Sequence, residues 1–121
     1  MRTVKETLVE AKSMIEAGWN KYGLTDRKGS FCLKGAIGIA SGSYEVIETG
    51  EVAMIRFLAT SDTVQLRRYW QALRLDLSSS ELVCEHLPEG FDSIPVFNDD
   101  PQTTKEDILS VLDKAISHDF S

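Results

Sequence analysis

Several protein classes are excluded by what this chain does not contain. No apolar run approaches the roughly 20 residues needed to cross a bilayer; the longest weakly polar stretch is Gly35 to Gly42, so no membrane partner is expected. Two cysteines, Cys32 and Cys84, are too few for a disulfide framework. A reducing cytosol is the simpler compartment, and the protein is read as cytoplasmic. The opening Met1-Arg2-Thr3-Val4-Lys5-Glu6 alternates charged with apolar residues, from which we expect no secretory signal peptide. There is no glycine-rich phosphate loop of familiar spacing, no His-Glu metal helix and no serine-triad signature.

What is present fits one ordinary domain over residues 1–121, because two pieces of this length would each bury too little surface. Apolar residues at 42% and charged residues at 26% are those of a globular chain, not a disordered one. The net charge of −6 argues against nucleic acid as the main partner. That charge is unevenly spread. Residues 1–75 carry 11 Lys+Arg against 8 Asp+Glu, and residues 76–121 carry 2 against 11. A mildly basic half and a strongly acidic half permit an ionic partner or a homo-oligomer.

The periodicity predicts a mainly α fold, a compact bundle of about five helices, with residues 44–57 open to a short β-hairpin. Thr3 and Glu6 form a capping box for a first helix reaching about Lys21, with Val4, Leu8, Ala11, Ile15 and Trp19 on one stripe. Phe31 to Ser41 is rich in small residues and reads as a short buried helix, with a pair of strands as the competitor. Its glycines, about 1 kcal/mol each worse than alanine, require neighbours to hold it. Residues 44–59 fit either a hairpin or a helix from Glu51 to Ala59, and the helix is preferred. Thr63 to Leu75 carries a stripe of Leu66, Tyr69, Trp70 and Leu73. Ser78-Ser79-Ser80 reads as a break and the N-cap of a short helix through Leu87. Phe91 to Asp100 looks extended, and a last helix runs from about Thr104 to His118.

The pattern also resembles something known. An amphipathic helix ends near Trp19; Cys32 is followed closely by Gly35-Ala36; Asn98-Asp99 stands before Thr104 and Asp107 at the opening of the last helix. In these features the chain is similar to a family of small uncharacterised proteins, a domain of unknown function common in actinobacteria and their phages. Phe97 stands where the family pattern has tryptophan, and residues 44–80 lie outside the resemblance. The resemblance implies a phage or mobile-element setting and supplies no reaction.

Four groups of residues are candidates for chemistry. Cys32 is a potential nucleophile, but a reactive thiol needs a base or a lowered pKa, and the histidines, His86 and His118, are remote in sequence; the competing reading is a small buried hydrophobe. Cys84-Glu85-His86, with Cys32 and His118, lacks the paired spacing of zinc ligands, so neither metal nor cofactor is expected. Arg56, Arg67, Arg68 and Arg74, with Tyr69 and Trp70 to stack on a base, are the strongest hint of a small anionic ligand; against it stands a solvated helix face paired with the acidic half. Asn98 and Asp99 either place polar groups in a pocket or form structural turns and caps. The reading that follows is a non-enzymatic binding protein of phage or mobile-element type acting on a host protein or a small ligand. The alternatives are a sponge for a phosphate-bearing nucleotide and a small enzyme using Cys32 or Asn98-Asp99.

Overall fold

Thr3 opens the first helix through the expected capping box: its hydroxyl accepts from the Glu6 N–H, and the Glu6 carboxylate accepts from the Thr3 N–H. The computed structural model describes residues 3–23, 30–49, 52–57 and 63–118, and the side chains of these apart from 45–57 and 63–66. It contains α1 (Val4–Ala17), α2 (Leu33–Ser41), β1 (Tyr44–Thr49), β2 (Val52–Phe57), α3 (Thr63–Glu85), α4 (Ile94–Asp99) and α5 (Lys105–Ile116). The fold is mainly helical, as its periodicity predicts.

The helices close around one apolar cluster. Leu8, Ala11 and Ile15 of α1 meet Leu33, Ala36, Ile37 and Ala40 of α2, with Val83 of α3, Ile94 and Phe97 of α4, and Ile108, Val111, Leu112 and Ala115 of α5. α2 packs against α1, α3 and α4, and α1 also packs against α5. The small residues of α2 make this close approach possible. At Gly38 the Tyr44 ring occupies the place a Cβ would take, and the helix ends on Gly42 in the left-handed conformation at φ 85°.

Four expectations from the sequence are corrected. α1 stops at Ala17, short of Lys21, because the chain turns extended at Gly18 and bridges to Phe31: Phe31 N–H donates to Gly18 O, and Asn20 N–H to Phe31 O. Trp19 therefore leaves the helical stripe. Residues 44–57 form the hairpin and not the preferred helix, with Tyr44 opposite Phe57 and Thr49 opposite Val52. β-branched and aromatic residues fill four of the six positions of β1 and three of the six of β2. The serines at 78–80 do not break α3, which runs unbroken for 23 residues. Ser79 is fully buried on the same inward face as Asp76 and Val83, so packing overrides the weak helix preference of serine. Finally, Phe91–Asp100 is not extended throughout: Ser93 caps α4, accepting from Val96 N–H, with Pro95 in the first turn where a missing N–H costs nothing.

Candidate functional site

The Asn98-Asp99 pair at the end of α4 is built into the structure by contacts remote in sequence. Asn98 is 1% exposed. Its Oδ1 accepts from Trp19 Nε1 at 2.8 Å and from the Leu33 N–H at 3.0 Å. Its Nδ2 donates to Asn20 O at 3.0 Å and to Asp99 Oδ1 at 2.9 Å. All four hydrogen-bonding positions of the amide are thereby used. Asp99 Oδ1 also accepts from the Tyr22 N–H at 2.8 Å, and Lys21 Nζ donates to Asp100 O at 2.7 Å while lying 5.2 Å from the Trp19 ring centroid. This node ties the segment after α1 and the start of α2 to the end of α4. Tyr22, held there at φ 65°, is a non-glycine residue in the left-handed region and is 72% exposed.

Cys32 sits beside this node as the N-cap of α2, its Sγ accepting from the Gly35 N–H at 3.2 Å. Burial pushes the thiol up from its ordinary pKa; the backbone N–H groups of Gly35 and Lys34 pull the other way, and the nearby Asp99 charge adds to the rise. A raised pKa is the reverse of what activates a nucleophile.

The arginine and aromatic candidates divide. Arg56 lies on β2 opposite Glu45, and its side chain is outside the described residues. Arg67, Arg68 and Arg74 are exposed on α3. Tyr69 is half-buried and packs edge-to-face on Trp70, ring centroids 5.4 Å apart. Trp70 is 54% exposed, and Leu77, which the sequence did not single out, is 51% exposed. Arg67, Trp70, Arg74 and Leu77 recur at steps of three, four and three, so they line one outer stripe; Arg68 is turned about 100° away from Arg67.

Two further arrangements join side chains remote in sequence. Asp76, 2% exposed, places Oδ2 3.3 Å from Lys34 Nζ, which also donates to Ser80 Oγ at 3.2 Å. Burial raises the Asp76 pKa, with Lys34 opposing. His86 and His118 meet with ring centroids 6.2 Å apart.

A family model matches residues 1–118. The chain belongs to DUF6197, a family of unknown function. No curated protein and no solved structure matches it. Within this DUF6197 chain, the residues that carried the resemblance have structural tasks: Trp19 and Asn98 bond each other, Cys32 caps α2, and Thr104 and Asp107 form the capping box of α5. Among the described residues, no helix is long and apolar enough to cross a membrane.

Proposed function

We propose that the protein is a non-enzymatic binding protein, of the accessory kind carried by phages and mobile elements. On this reading it works in the cytoplasm and engages an acidic segment of a host protein through the outer stripe of α3. The observation that carries this reading is the alternation of Arg67, Trp70, Arg74 and Leu77 along one outer helix face, with Trp70 and Leu77 each about half exposed. Tryptophan and arginine are the residues that most often dominate a protein interface, and guanidinium groups pair well with carboxylates. A small anion would want a concave site. The groove beside α5 is lined by other residues, and the burial of Cys32 and the saturated bonding of Asn98 favour binding over catalysis.

The test is site-specific photocrosslinking in the cell, with the crosslinker at exposed Gln71 beside the stripe and a control at Val96 on α4, which is 56% exposed. A discrete adduct is expected from position 71 only, and it should vanish when Trp70→Ala and Arg74→Glu are combined. Equal adducts from both positions, or none, defeat the reading. An adduct with a second copy of the chain replaces the host partner by self-association. A rise in Tm with a nucleoside triphosphate or cyclic dinucleotide, lost in Arg67→Gln/Arg74→Gln, favours the nucleotide sponge.

A further inference from the structure

The C-terminal ends of α3 and α5, two helices that pack together, bring three ligand-type side chains to one place. Glu85 is the last residue of α3 and His86 follows it; His118 stands two residues beyond Ile116, the last of α5. Both histidines are fixed by the final turns, His86 N–H donating to Val83 O and His118 N–H to Ala115 O. One ligand atom from each of Glu85, His86 and His118 lies within 4.8 Å of the other two. Ligand atoms on one tetrahedral zinc ion stand about 3.4 Å apart, given bonds of about 2.1 Å, so small rotations of these side chains close the difference.

We propose that Glu85, His86 and His118 form a binding site for a divalent late transition metal such as zinc. Two observations beyond the cluster itself support it. His86 Nε2 is buried and has no hydrogen-bond partner among the described residues, leaving a lone pair or a proton unsatisfied at considerable cost; coordination to a metal would resolve it. The site also lies where two helix C-termini, each with partial negative charge, meet the Glu85 carboxylate, which favours a cation. Imidazole nitrogen with one carboxylate suits zinc, copper or nickel over magnesium or calcium. Three protein ligands leave a coordination position open, as in metal sites that take a water or an outside ligand. Of the three, His86 also lines a groove of about 600 Å³ beside α5, with Asp113 and Ser117 among its other walls.

The experiment is thermal unfolding of the chelator-treated full chain with zinc chloride added, and with magnesium chloride as the contrast. Zinc should raise Tm by about 10 °C once free metal stands about 100-fold above its Kd, and magnesium should not. His118→Gln and Glu85→Gln alter exposed side chains and should fold, yet lose most of the rise; Cys84→Ser, at the neighbouring exposed thiol, should keep it. No rise in the parent overturns the proposal. So does a rise that survives His118→Gln, one that disappears in Cys84→Ser, or one that magnesium reproduces.

Discussion

Trp19 and Asn98, 79 positions apart in the chain, are joined by a 2.8 Å hydrogen bond from the indole N–H to the side-chain oxygen. That same oxygen receives the buried Leu33 N–H, so one amide holds two donors from separate parts of the fold.

Removal of that amide should be costly. Asn98→Ala strands the Leu33 N–H and the Trp19 indole, and a buried donor left unsatisfied costs about 1–3 kcal/mol. We expect a loss of roughly 2–4 kcal/mol. Asp99→Ala, at a half-buried position where water can replace the carboxylate, should cost only about 1 kcal/mol. Urea midpoints for both variants decide the matter; equal losses would show that the burial of Asn98 is not what makes its bonds count.

The two cysteines should separate cleanly by reactivity. Cys84 is exposed, while Cys32 is buried, bonded to the Gly35 N–H and raised in pKa. A disulfide reagent at neutral pH should titrate one thiol quickly and the second only on unfolding, and Cys84→Ser should abolish the fast phase. Two fast thiols would restore Cys32 as a nucleophile.

Asp76 gives a pH dependence with a definite sign. Burial raises its pKa in the folded chain above the ordinary 3.8. Over the window from 3.8 up to that raised value the folded state holds more protons than the unfolded state, so this group lowers stability as pH rises. Asp76→Asn cannot ionise and lacks the effect. Denaturation of both proteins at a series of pH values should show the variant gaining on the parent from pH 3.8 upward. Parallel curves would mean that Lys34 fully offsets the burial.

Ser79 tests the unbroken α3. Its hydroxyl is fully buried with no hydrogen-bond partner among the described residues, and alanine is the better helix former. Ser79→Ala should therefore stabilise by about 0.5–1 kcal/mol, read as a higher urea midpoint. A loss of stability would point to a bond that the hydroxyl makes in solution.

These cases also show why some features were legible in the sequence and others were not. The capping box at Thr3 is a signal spanning four residues and stands as read, and Thr104 with Asp107 caps α5 in the same way. The glycines and alanines of α2 announced close packing, which the Tyr44 ring against Gly38 fulfils. Ser78-Ser79-Ser80 misled because serine's local preference gives way to the packed face containing Asp76 and Val83. α4 has six residues, too few for a helical period to show. At the candidate sites the difficulty was distance. Asn98-Asp99 looks like a local turn, yet its partners are Trp19, Asn20, Tyr22 and Leu33. Glu85 and His86 lie more than thirty positions from His118, and no local pattern links them.

The Asn98 node also sets an order of events during synthesis. Chains emerge from the ribosome at roughly 5–20 residues per second, so Trp19 precedes its partner, 79 positions later, by roughly 4–16 s. α1 packs on α2 early but must likewise await α5 to finish burying its inner face. Because α1 packs on α5 as well as on the neighbouring α2, folding should be slower than in a bundle of sequential neighbours alone. Early in translation α2 can cover only part of the apolar stripe of α1, and the rest depends on the last third of the chain to conceal it.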